Sequence, residues 1–344
     1  MRCFVLAATL LSLALIPATL RAPVFAQEAP SPDAPPPASE APAEPEMESP
    51  AQTLNVNVNL VNLYFSAFDK NGFVTNLVKS DCVVAEDKVP QTIKNFTQEK
   101  NLPLTIGILL DTSGSQTNVL PLEKESTATF LRDVLTPKDE AFLISFDINV
   151  DLLADYTNRP SEISRALNKA TINTGATYGS VTGNGRPRGT LLFDAVYLAA
   201  HDKLSMEAGR KVLVLLTDGG DQGSQETLKT ATEAAQKANT IIYVILIADR
   251  QFQFSQGAPV GDIDMQRLTS DTGGRVINVG HDGRRLEDAL NQIKDELRTQ
   301  YLLSYTPTNT KADGTYRKIY LNCGKLKIQT RTGYYAISSA DAGN

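Results

Sequence analysis

The chain has 344 residues, 42% of them hydrophobic and 21% charged. This excludes a wholly disordered or a membrane-embedded polymer and leaves room for one large domain and a smaller one. Its formal charge is −6, and the acids Glu28, Asp33, Glu40, Glu44, Glu46 and Glu48 fall between Gln27 and Pro50 with no basic residue among them. Beyond Pro50 the chain is nearly neutral and has no basic block, so nucleic-acid binding has no electrostatic support.

In chain order, Met1-Arg2, the apolar run 4–20 and Val24-Phe25-Ala26 predict a signal peptide over 1–26. The mature chain would then be exported and be periplasmic, on the cell surface or released. It has no further stretch apolar enough to span a bilayer. Residues 27–50 are rich in Pro, Ala and Glu, with little to bury, and predict a disordered tether.

The segment 54–100 reads as β-structure. Apolar and polar residues alternate over 54–60, and β-rich runs follow at 63–68 and 82–85. After Pro103 the pattern changes. A continuous apolar run at 104–110 predicts a strand covered on both faces, 141–146 and 211–216 read as further buried strands, and 240–247 and 275–279 read as strands. Helical spacing separates them at 120–135, 162–170, 191–204, 225–238, 264–271 and 285–299. The expected fold for 102–299 is therefore α/β, a doubly wound, mainly parallel sheet with helices on both faces. A glycine-rich loop over 174–189 and a second long loop over 251–261 lie next to element ends.

From 300 to 337 the chain returns to β, with strands expected at 301–305, 316–321 and 326–330. Neither flank alone has strands enough for a good core. One small β-sandwich built from 54–100 and 300–337, with the α/β domain inserted between them, is the economical arrangement; two independent β units are the other. The sandwich would bring Cys82 and Cys323 into one domain, where a bridge is conceivable. An exported chain permits a disulfide, but two separate buried thiols are the reading slightly favoured from sequence.

Asp111-Thr112-Ser113-Gly114-Ser115 follows the first buried strand directly. Side chains at 111, 113 and 115 can converge above the sheet edge, and a carboxylate with two hydroxyls suits a hard cation, Mg²⁺ or Mn²⁺. Thr190 opens a helix after the glycine-rich loop, and Asp218 ends another buried strand in Leu216-Thr217-Asp218-Gly219. Asp194 and Asp221 lie nearby and read as supporting residues.

On these residues the chain resembles a von Willebrand factor A-type domain with a metal-ion-dependent adhesion site, of the exported bacterial type. The likeness covers about 102–298. It implies that Ser113, Ser115 and Thr190 contact the metal directly and that Asp111 and Asp218 do so partly through water. It also implies that a carboxylate from Asp or Glu of a protein ligand completes the metal shell. Family members can couple that ligation to movement of the last helix, here 285–299. The expected function is thus divalent-cation-dependent protein binding or adhesion. The alternative is a structural or assembly component of an envelope complex in which the metal only stabilises. Catalysis is not expected: His201 and His281 are the only histidines and neither sits in a nucleophile pattern.

Overall fold

The structure is a computed structural model that describes residues 60–99, 102–173, 189–247 and 260–338. The expected signal peptide, the tether, nearly all of the strand 54–60 and most of the two long loops lie outside the described residues.

Two kinds of sheet organise the chain. The larger has six strands: β6 (Leu104–Asp111), β7 (Glu140–Phe146), β8 (Val150–Thr157), β9 (Arg210–Thr217), β10 (Thr240–Leu246) and β11 (Val276–Asn278). Their order across the sheet is β11-β10-β9-β6-β7-β8. All neighbours are parallel except β7 and β8, which run antiparallel. Sequence reading missed β8. Its residues are half exposed without a clean alternation, so neither the period-two nor the continuous apolar signal is present.

Among the described residues six α-helices cover the sheet: α1 (Leu120–Val134), α2 (Pro160–Lys169), α3 (Leu192–Leu198), α4 (Leu228–Lys237), α5 (Val260–Thr272) and α6 (Gly283–Thr299). On one face Ile106, Ile108 and Leu110 of β6 pack with Leu131 of α1, Ile163 of α2 and Ile293 of α6. On the other, Leu109, Phe142 and Leu213 pack with Val196 of α3, Ala235 of α4 and Leu268 of α5. The doubly wound architecture expected from the alternating runs is what forms. Gly107 faces the second layer, where an added Cβ would sit 2.4 Å from Phe142 Cζ and 2.5 Å from Leu213 Cδ2. The stretch 191–204 is less regular than its apolar spacing suggested, because α3 gives way to a π-helical turn over Ala199–Leu204.

The flanks form the second kind of sheet. β1 (Val61–Asp69), β2 (Gly72–Phe73), β5 (Ile93–Gln98), β12 (Tyr301–Tyr305) and β14 (Lys327–Thr330) make one sheet, with β12 between β1 and β5. β3 (Val83–Glu86), β4 (Val89–Gln91), β13 (Tyr316–Asn322) and β15 (Gly333–Tyr335) make the other, in the order β15-β13-β3-β4. Each sheet mixes strands from both ends of the chain. Leu63, Phe65, Val84, Tyr301, Leu303 and Leu321 from the two sheets share one core, a sandwich. Two buried carboxylates fasten the layers. Glu86 accepts from Tyr305 and Tyr334 at 2.9 Å each, with Arg317 Nη1 at 3.4 Å. Glu296 of α6 accepts from Tyr243 at 2.7 Å, Arg275 at 3.1 Å, Ser66 at 3.3 Å and Gln329 at 2.5 Å, joining the sandwich to the α/β layers.

Cys82 and Cys323 are bonded, with sulfurs 2.02 Å apart and Cα atoms 4.1 Å apart. This corrects the expectation of two separate thiols. The antiparallel pairing of β3 with β13 sets Val83 opposite Asn322, so the cysteines just beyond that pair face each other, a register sequence cannot supply.

Candidate metal centre

The strand order reverses between β6 and β9, because the chain winds from β6 outward one way and from β9 outward the other. At such a switch point the loops leaving the two strands diverge and open a crevice at their carboxyl ends. Asp111 is the last residue of β6, and Asp218 follows the last residue of β9. The two carboxylates most prominent in the sequence motif therefore stand side by side at the place the topology opens.

Asp111 is fully buried. Its Oδ1 accepts the Ser113 backbone N–H at 3.0 Å, and its Oδ2 accepts the Thr217 hydroxyl at 2.7 Å, so β9 itself orients it. The Ser113 and Ser115 hydroxyls lie 3.0 Å apart; Ser113 is buried and Ser115 exposed at the rim. Asp218 accepts the Gly220 N–H at 3.0 Å, which fixes its side chain in the turn after β9. Thr190 is buried, and its carbonyl accepts the Gln222 N–H at 2.8 Å while Gly189 N–H donates to Gln222 O at 2.8 Å. The Thr190 segment is thus stitched to the loop that leaves Asp218. Asp111, Ser113 and Ser115 are drawn together by direct bonds, Asp218 by strand pairing, and Thr190 by this backbone ladder.

Electrostatics give the site its character. Burial, and after it the negative charge of Asp218, pushes the Asp111 carboxyl up to about 7, against the bonds from Ser113 and Thr217. Among the described residues, no lysine or arginine forms an ion pair with Asp111. A buried Asp111 carboxylate without an ion pair among the described residues, framed by hydroxyl oxygens, is a donor set that fits a hard divalent cation. No three His, Cys, Asp or Glu side chains gather into a metal-holding group among the described residues, so a cation here would depend on the hydroxyl donors.

Two residues that sequence reading passed over belong to this neighbourhood. Glu123, in the first turn of α1, is fully buried, and neither carboxylate oxygen has a hydrogen-bond partner among the described residues. Burial, then the charges of Asp111 and Asp218, holds its carboxyl well above its ordinary value. Nothing in Leu122-Glu123-Lys124 marks it, since a glutamate early in a helix is an ordinary surface residue. Asp147 was more legible, because it follows β7 as Asp218 follows β9. It accepts from Thr112 at 2.7 Å and Asn173 at 3.1 Å, and its carbonyl accepts Leu191 N–H at 2.8 Å. It holds the loops behind Asp111 and Thr190 together. Asp194 and Asp221 spend their oxygens on the same framework. Asp194 accepts Gln225 and Glu226 N–H groups, and Asp221 accepts Phe193 N–H and the Ser224 hydroxyl.

No family model matches the sequence, and no curated protein matches it. Among solved structures, the chain is similar to the conserved hypothetical protein BatB from Bacteroides thetaiotaomicron, at 17% identity over 57% of this chain and 99% of that one, TM-score 0.43. It is similar to the vWF domain of the type V pili tip protein Mfa5 from Porphyromonas gingivalis, at 11% identity over 57% and 95%, TM-score 0.44. It is also similar to proximal thread matrix protein 1 from the mussel byssus with a zinc-occupied MIDAS motif, at 16% identity over 60% and 48%, TM-score 0.44. The chain spans about half the length of that last protein. At these scores the likenesses add nothing to the strand order and side-chain geometry described above.

Proposed function

We propose that this chain is an exported protein-binding or adhesion module whose grip on its partner depends on a divalent cation at the carboxyl ends of β6 and β9. The observation that carries the reading is Asp111. It is a fully buried carboxylate beside Asp218 and the Ser113–Ser115 hydroxyl pair, at the sheet's switch point, with no ion pair to a basic side chain among the described residues.

In this reading the hydroxyls of Ser113, Ser115 and Thr190 hold Mg²⁺ or Mn²⁺ directly, and Asp111 and Asp218 hold it partly through water. The ion supplies an open coordination position that a carboxylate oxygen of a protein partner can fill. The chain's own contribution is orientation. Thr217 and the Ser113 N–H aim Asp111, Gly220 N–H aims Asp218, and Asp147 accepts the Thr112 hydroxyl and the Leu191 backbone N–H. The role proposed is binding and not catalysis. His201 stacks on Tyr197 and bonds Asp202 at the surface, and His281 is exposed. No described helix is long and apolar enough to cross a membrane; the proposed export rests on residues 1–26 and the acidic tether after them.

The test is calorimetric titration of Mg²⁺ and Mn²⁺ into the metal-free full chain, beside Asp111→Asn and the double substitution Ser113→Ala, Ser115→Ala. The expected result is saturable binding near one ion per chain, lost in both variants. Absence of binding by the unsubstituted protein would overturn the reading.

A further inference from the structure

A groove of about 660 Å³ runs beside the outer edge of the sandwich, between β15, the segment 306–311 and the end of α4. Among the described residues its lining includes Lys237, Lys311, Arg317 and Arg331 and not one aspartate or glutamate, in a chain whose formal charge is −6. Such local charge of one sign is an arrangement that recruits the opposite sign.

The four cations are not equally satisfied. Arg317 is buried with Glu86 at 3.4 Å and Asp313 at 3.7 Å. Lys237 meets Glu233 at 3.0 Å. Arg331 forms no ion pair with a carboxylate among the described residues. Its Nη2 donates to Asn62 O at 2.8 Å, its Nε is buried without a partner, and its guanidinium carbon lies 5.6 Å from the centre of the Tyr334 ring. Lys311 makes no ion pair among the described residues. A guanidinium withdrawn from water without a counter-charge is costly, and an anion in the groove would remove that cost. A planar guanidinium matches a carboxylate in particular, through paired N–H donors.

The backbone narrows the class of ligand. Among the described residues β15 pairs only with β13 and is the edge strand of its sheet. An edge strand offers free N–H and C=O groups to an extended segment laid beside it. The rings of Tyr334 and Tyr335 line the same groove. We infer that this groove binds an acidic peptide segment in extended form, its carboxylates meeting Arg331 and Lys311 and its main chain lying along β15. The site is separate from the proposed cation site, and it asks for no metal.

The experiment is a fluorescence anisotropy titration of labelled hexaglutamate with the full chain in metal-free buffer, so that a cation at Asp111 cannot capture the peptide. Saturable binding is expected, weakening as NaCl rises from 50 to 300 mM. It should weaken at least tenfold in the double variant Lys237→Glu, Lys311→Glu, whose side chains are at the rim and not in the core. Arg331→Gln, checked for an unchanged circular dichroism spectrum, should weaken it comparably. No saturable binding at 50 mM salt, or equal binding by the double variant, would overturn the proposal. Displacement of the peptide by inorganic phosphate at concentrations where chloride has no effect would also overturn it, and assign the groove to a small anion.

Discussion

Removing the Cys82–Cys323 bridge with Cys82→Ala, Cys323→Ala takes away a cross-link between residues 241 apart in sequence. If the whole chain unfolds together, the chain-entropy relation for a loop of that length gives a loss of about 5.5 kcal/mol. The topology points to a smaller figure. Gln98 pairs with Tyr301, and Glu99 N–H donates to Gln300 O at 2.8 Å, so the two ends of the inserted α/β unit meet. While that unit stays folded it acts as a short strap. The loop closed by the bridge is then only Cys82 to Gln98 plus Tyr301 to Cys323, roughly 40 residues, for which the same relation gives about 4 kcal/mol. Urea unfolding followed by tyrosine fluorescence and far-ultraviolet circular dichroism separates the cases. The expected result is an early transition in the double variant, confined to the sandwich and lowered by about 4 kcal/mol, with the α/β transition unmoved. A loss below about 1 kcal/mol would refute the reasoning. So would alkylation of both cysteines in denaturant without reductant.

Glu123→Gln replaces a buried carboxylate whose folded-state value is raised. In the unsubstituted metal-free protein, its contribution to stability is complete below the ordinary glutamate range and is lost as the pH rises through the raised value. The variant should therefore gain on the parent as the pH increases, read as a growing difference in urea midpoint between pH 5 and 8. No growth would show that the buried charge is compensated. Glu296→Ala breaks four contacts at once and should cost about 3–5 kcal/mol in urea unfolding; a cost below about 1 kcal/mol would deny Glu296 its fastening role. Gly107→Ala must displace Phe142 and Leu213 and should destabilise by about 1–3 kcal/mol, measured the same way. Saturating Mg²⁺ should raise the melting temperature of the metal-free chain, by the equivalent of about 2.7 kcal/mol at a hundredfold excess over its dissociation constant. A chelator should reverse the rise, and Asp111→Asn should show none.

How far the sequence was legible depends on how each signal arises. The run Leu104–Asp111 is buried at every position, so its continuous apolar character reported a strand covered on both faces. The acids at strand ends were readable because the strands were. Thr227 accepts the Thr230 N–H and places the start of α4 at Leu228, three residues later than the apolar spacing alone suggested. β4 and β15 are three residues each, too short for a period to show, and Pro90 in β4 argues against a strand until β4 is seen at the sheet edge. Glu123 and Arg331 carry no local mark. Their significance comes from missing partners, which only the folded arrangement reveals.

The inserted position of the α/β unit also settles how a mechanical load would pass through the protein. The parallel strands start near the sandwich and end at the Asp111 face, so a pull on that face leaves through β5 and β12 together. Those two strands are neighbours, and both would be drawn in one direction. The pair would then slide against β1, loading the five pairings from Val61–Tyr305 to Phe65–Tyr301 in shear. Ladders loaded this way must yield several hydrogen bonds together, whereas peeling breaks them one at a time. The strand order that sets Asp111 at the carboxyl end of β6 thus also loads β12 against β1 in shear.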